Sequence, residues 1–270
     1  MFGKLIKNEI KSTAHTIGLI YIVAAIAIGL MAMAYIFKIN WISAAATVVL
    51  AVAAGAAILV TFFMVIVNFQ KSLYSNQGYL SFTLPVTSGQ LLAAKTIVSF
   101  MWMLISYIVA IAVFVGIYLY ASAMVGDDVK AAARVLMAFM EGIPSGATIK
   151  KVFIFLAIYV FVLIVFLIAQ LYFAITLSNT RVMQKLGVFS IVIVFFAVFI
   201  VTTVISVILT KNIPLSIVVD KAGMSLSTTV SMNTENVISF GLTGLFFDIV
   251  ASVALFVATS MLMDSKVNIK

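Results

Sequence analysis

Residues 152–176 read VFIFLAIYVFVLIVFLIAQLYFAIT. No charge interrupts the run and it does not alternate apolar with polar residues, so it does not read as a barrel strand. About 20 such residues cross the hydrocarbon of a bilayer as one helix. The rest of the chain follows the same pattern. Its 270 residues are 65% hydrophobic and 9% charged, where an ordinary soluble domain has about 45–50% and roughly 25%. Apolar residues in such excess need an apolar solvent outside the fold as well as inside, and that solvent is lipid. The sequence predicts an all-α polytopic membrane protein forming one domain over residues 1–270. Six spans are expected, at about 17–37, 43–68, 96–120, 152–176, 187–210 and 238–262.

An even number of spans puts both termini on one side, and the Lys/Arg distribution says which. Lys4, Lys7, Lys11, Lys71, Lys95, Arg181, Lys185, Lys266 and Lys270 fall on the side of the termini. Lys38, Lys130, Arg134, Lys150, Lys151, Lys211 and Lys221 fall on the other. The bias points to termini inside. At about 100° per residue, Lys4, Lys7 and Lys11 share one arc, with Phe2, Leu5, Ile6 and Ile10 opposite. Residues 1–16 are therefore expected to form an amphipathic elbow helix in the membrane interface, in contact with lipid headgroups. Two outer loops follow, 121–151 and 211–237. The first is expected to hold a surface helix at 127–141, stopped by Gly142 and Pro144, and the second an apolar patch, IPLSIVV, that dips into the membrane edge.

Groups able to do chemistry are scarce. There is no cysteine, and the single histidine, His15, cannot build a metal site alone. Dispersed cations form no stripe suited to a phosphate backbone, so no nucleic acid is expected as a partner. Residues 89–96, GQLLAAKT, superficially match a phosphate-binding loop, but Ala94 replaces its second glycine and no buried strand precedes it. Thr87 and Gln90 instead read as a capping box, T-x-x-Q, opening the helix that becomes span three. Asp248 is the only acid well inside an expected span. Two readings are open for it: a pathway or gating residue, or an interhelical contact with Gln170 or Asn68. Small residues four apart, Ala25 and Gly29, Ala51 and Gly55, Ala53 and Ala57, would allow helices to approach closely.

The most specific stretch is 69–95, FQKSLYSNQGYLSFTLPVTSGQLLAAK. A turn at Asn76, Gln77 and Gly78 leads into a short apolar helix, Tyr79 to Leu84, stopped by Pro85. On the cytoplasmic face, Tyr79, Leu80, Phe82 and Leu84 would need a partner surface. With six spans, an elbow and this loop, the chain resembles the permeases of type-2, exporter-class ATP-binding-cassette (ABC) transporters. Gly78, Tyr79, Leu80, Thr83, Leu84 and Pro85 carry the G-Y-L-x-x-T-L-P pattern of many such bacterial proteins.

The resemblance implies a plasma-membrane permease dimer, of two copies or of homologous chains, seated on two ABC ATPase subunits. Residues 69–95 would be the coupling loop received by those subunits, and the loop after span five would match the family's external re-entrant segment. This chain would bind no cofactor and would not be an enzyme itself; ATP and magnesium would sit on the partner ATPase. The cargo would be hydrophobic or amphipathic: a drug, peptide or lipid. The 127–141 helix is longer than the family pattern implies. Other readings are an ion-coupled carrier or channel, for which Asp248 supplies too few intramembrane charges, and a membrane scaffold, immunity or sensor subunit.

Overall fold

A computed structural model describes residues 2–36, 40–75, 87–125, 146–180, 183, 189–220, 223–228 and 238–265. The chain is mostly helical: α1 (Phe2–Ile36), α2 (Asn40–Tyr74), α3 (Ser88–Val125), α4 (Gly146–Ser178), α5 (Phe189–Asn212) and α6 (Leu242–Ser265). Three short strands, β1 (Ser216–Asp220), β2 (Gly223–Ser227) and β3 (Ile238–Gly241), lie between α5 and α6. Five helical stretches are long and apolar enough to cross a membrane: Ala45–Tyr74, Ser88–Ile117, Lys151–Ser178, Phe189–Asn212 and Leu242–Asp264. Helix α1 adds a shorter apolar segment at Ile17–Ile26.

Within the range expected to form one domain, the chain divides into two compact units. Unit 1, residues 1–126 with 269–270, contains α1, α2 and α3, each packed on the other two. Unit 2, residues 127–268, contains α4, α5 and α6, likewise mutually packed, together with the sheet.

Three local expectations change. Residues 2–36 form one continuous helix, so no separate elbow precedes the first apolar segment. Ser12 and Thr13 lie between the basic turns and that segment. Their hydroxyls donate back into the same helix, to the carbonyl of Glu9 at 2.8 and 2.9 Å, a pattern that hydroxyl side chains adopt inside helices. Lys4, Lys7 and Lys11 are exposed along its first three turns.

The IPLSIVV patch does not stay irregular. Its second half is β1, the central strand of an antiparallel sheet ordered β2-β1-β3. The register pairs Ile217 with Leu226 and with Phe240. The β-branched run Ile217, Val218, Val219 suits a pleated ladder better than a helix, and the ladder takes up Ile238 to Gly241, which had read as the start of span six. That helix begins at Leu242, whose N–H donates to the Leu215 carbonyl at 2.9 Å. The fold therefore departs from all-α by one small sheet. Of the small-residue pairs, Ala53 and Ala57 are both buried, whereas Ala25, Gly29 and Ala51 are exposed, and nothing described stands within 4 Å of a Cβ built on Gly29 or Gly55. The tight α2–α3 contact uses Ala54 instead, which clusters with Leu50, Ala110 and Val113.

Residues 76–86 lie outside the described residues, and with them the coupling positions Gly78, Tyr79, Leu80, Phe82, Thr83, Leu84 and Pro85. So does the whole of the expected 127–141 helix. The helices flanking 76–86 reach further than the spans assigned from sequence: α2 continues to Tyr74 and α3 begins at Ser88. At that start the Thr87 N–H donates to Gln90 Oε1 at 3.4 Å and the Gln90 N–H to Thr87 Oγ1 at 3.3 Å, the reciprocal pair of a capping box. Thr87→Ala is expected to destabilise unit 1 by about 1 kcal/mol, because the N-cap acceptor is lost while both neighbouring turns stay intact. Equilibrium unfolding in mixed micelles measures it, and Thr87→Ser should be nearly silent.

Candidate functional site: a buried polar ladder in unit 1

Polar side chains in unit 1 meet on the inner faces of its three helices in successive rungs. In the first, Glu9 of α1, Asn68 of α2 and Lys95 of α3 converge. Lys95 Nζ lies 2.9 Å from Glu9 Oε1, and Asn68 Nδ2 donates to the same oxygen. The second rung joins α1 to α3: Trp102 Nε1 donates to Thr13 Oγ1 at 2.8 Å. The third joins all three helices, Ser106 Oγ lying 2.8 Å from the Tyr21 hydroxyl and 2.6 Å from Thr61 Oγ1. The α1–α3 partners are separated in sequence by 86, 89 and 85 residues in turn. That near-constant offset means the two helices run in the same direction with a fixed register, while α2 returns against them.

The first rung is the costly one. The Lys95 side chain is only 3% exposed and that of Glu9 16%. Removing two opposite charges from water costs several kcal/mol per ion, which their attraction repays only with good geometry and extra hydrogen bonds. Asn68 supplies one of those bonds. Neutral interhelical hydrogen bonds, like those of the upper rungs, contribute about 0.6 kcal/mol each on average in a membrane. The ladder is therefore better understood as specifying register than as supplying most of the stability. Among the described residues no group of three or more His, Cys, Asp or Glu could hold a metal.

The polar residues singled out from sequence fall in separate places. Asn68 belongs to the Glu9 cluster. Gln170, on α4 in unit 2, is buried and its Nε2 donates to Thr202 Oγ1 of α5 at 2.8 Å. Neither bonds to Asp248, whose carboxylate is half-buried on α6. Lys95 had read as the last residue of a cytoplasmic loop; it is instead buried two turns inside α3.

Glu9 was missed, although a signal was present. At about 100° per residue it points opposite Lys4, Lys7 and Lys11, onto the arc of Phe2, Leu5, Ile6 and Ile10. An acid on the apolar side of a basic helix needs a buried cation, and Lys95 is that cation. Thr61, Ser106 and Tyr21 carried no comparable signal, since hydroxyls within apolar helices usually satisfy themselves on their own backbone. No family model, no curated protein and no solved structure matches this chain.

Proposed function

We propose that this chain is the membrane-spanning permease subunit of an ATP-driven exporter of the type-2 ABC class. It works in a bacterial plasma membrane with both termini cytoplasmic and six crossings, α1 supplying the first. It pairs with a second permease, and a separate ATPase subunit binds the ATP and magnesium. The cargo is hydrophobic or amphipathic.

The observation that carries this reading is the Glu9 rung. The proposed coupling loop, 69–95, takes in the end of α2 and the start of α3, and one carboxylate from the start of α1 ties Lys95 within it to Asn68 just before it. A push on the segment is thereby delivered to three helices at once. The described spans also hold few ionisable groups with which to harvest an ion gradient, so the driving force has to arrive through a partner.

Leu80→Asp/Leu84→Asp tests the reading. A soluble ATPase is expected to co-purify with the native chain from its own membrane. The double substitution should lower coupled ATP hydrolysis at least about tenfold, because charge in a docking contact removes its apolar anchors. Unfolding of the bundle should be unchanged. Normal stimulation by the double variant would sink the coupling assignment, and transport driven by an ion gradient without any ATPase would sink the exporter reading itself.

A further inference from the structure

Unit 1 carries a charge imbalance at one end. Within residues 1–126 Glu9 is the only acid, and it is turned inward onto Lys95. Lys4, Lys7 and Lys11 of α1 and Lys71 of α2 are exposed, and the unit has no second acid to neutralise them. Lys71 follows Asn68 by three residues on α2, and Asn68 bonds to Glu9. All four lysines therefore stand at the same end of the unit.

The Glu9 contact also fixes the direction in which the α1 lysines point. At about 100° per residue, Lys4, Lys7 and Lys11 occupy an arc about 60° wide, with Glu9 on the opposite side. Glu9 faces α2 and α3, where its partners are, so the lysines face away from both helices. Because residues 2–36 form one unbroken helix, the arc can be followed along its axis. It falls within the wider arc on which Leu19, Ile22, Ala25 and Ile26 are exposed, whereas Ile17 and Ala24, outside that arc, are buried. One outward face is thus basic up to Lys11 and apolar from Leu19 onward.

The apolar part of that face meets lipid chains wherever α1 enters a bilayer, and the basic part then meets what lies next to them. Lys11 stands six residues, about 9 Å, before Ile17, where the apolar segment begins. A lysine stem can run along apolar surface while its ammonium stays at the headgroups. Lys7 and Lys4 lie about 6 and 10 Å further out along the axis, on the scale of the Debye length, so their pull on a headgroup is progressively screened. An anionic headgroup supplies the negative charge that unit 1 lacks. A zwitterionic one brings its own cation with its phosphate and gains less.

We propose that Lys4, Lys7 and Lys11 bind the headgroup of an anionic phospholipid whose acyl chains lie along Leu19, Ile22 and Ile26. The proposal rests on the α1 crossing in the reading above and not on its ATPase. The test contains no ATPase, so its failure is distinguishable from failure of the coupling assignment.

The full chain is titrated in detergent micelles with dioleoylphosphatidylglycerol or dioleoylphosphatidylcholine, and the first bound lipid is followed by native mass spectrometry. Phosphatidylglycerol is expected to bind at least about tenfold more tightly. Lys11→Gln should raise its Kd about fivefold, the scale of one cation close to an anionic surface, and Lys4→Gln no more than about twofold, because it stands furthest out. Lys4→Gln/Lys7→Gln/Lys11→Gln together should cost at least about tenfold. The same three positions changed to Arg, which keeps the charge, should stay within about threefold of native. Lys151→Gln/Lys211→Gln, which removes exposed lysines from α4 and α5, should stay within about twofold. The proposal is overturned if the two lipids bind the native chain equally, or if the triple Gln variant binds phosphatidylglycerol as the native chain does. A larger loss from Lys4→Gln than from Lys11→Gln also overturns it, since that order places the anion beyond the headgroups, as on an acidic protein partner.

Discussion

Glu9→Ala is expected to destabilise unit 1 by about 3–5 kcal/mol, the usual cost of removing one partner of a buried ion pair. Lys95, 3% exposed, would then be left in the interior without the carboxylate that faces it. Lys95→Ala should cost less. The Glu9 carboxylate is more exposed at 16% and retains the Asn68 amide as a donor. The order of the two losses therefore follows burial, although the same contact is broken. Glu9→Gln/Lys95→Met, which removes both charges and keeps the volumes, is expected to return to within about 1 kcal/mol of native, because a well-packed neutral replacement of a buried pair is often close to isoenergetic. Unfolding in mixed micelles of dodecyl sulfate and maltoside gives all three values. A loss below about 1 kcal/mol for Glu9→Ala would mean that water reaches Lys95 and that the rung is not a buried pair.

Tyr172→Ala should be of similar size, about 3–5 kcal/mol, for a different reason. Residues 168–176 of α4 are buried all the way round except at Phe173: Ile168, Ala169, Gln170, Leu171, Tyr172, Ala174, Ile175 and Thr176 are each at most 2% exposed. Tyr172 is among the largest side chains in the protein that are fully enclosed. Truncating it opens a cavity in the part of unit 2 least able to collapse. Tyr172→Phe, which keeps the ring, is expected to cost no more than about 1.5 kcal/mol, the net worth of one hydrogen bond. Equal losses for the two variants would place the contribution in the hydroxyl instead of the ring.

This contrast within α4 marks the limit of what the sequence discloses. The run 152–176 reads as uniformly apolar, yet Phe153, Ile154, Ile158 and Phe161 are exposed while the stretch from Ile168 to Thr176 is enclosed. In water the two halves would differ in polarity. In lipid both surfaces are apolar, so hydropathy identifies a span without saying which face or which half packs against protein. What does mark the packed half is its polar residues, Gln170, Thr176 and Ser178, which avoid hydrocarbon by turning inward. Membrane class was legible, and with it five helical stretches long and apolar enough to span, because both depend on composition and run length. The capping box was legible because it is local. The sheet was not, since β3 pairs with β1 across a sequence separation that turn and propensity signals do not bridge. The Glu9–Lys95 pair spans 86 residues, and only its Glu9 half left a trace, as an acid on the wrong side of an amphipathic helix.

The rods themselves have a mechanical consequence. At about 1.5 Å per residue, α1 and α2, with 35 residues each, are about 52 Å long, while the hydrocarbon layer of a bilayer is about 30 Å thick. Each helix is longer than such a layer even with its headgroups included. Glu9, Asn68 and Lys95 each lie within about two turns of a helix end, Asn68 about 9 Å from the last residue of α2. Because the three helices are joined at one carboxylate, a sideways displacement there is shared among them. A force applied at any one of the three ends is therefore borne by all three.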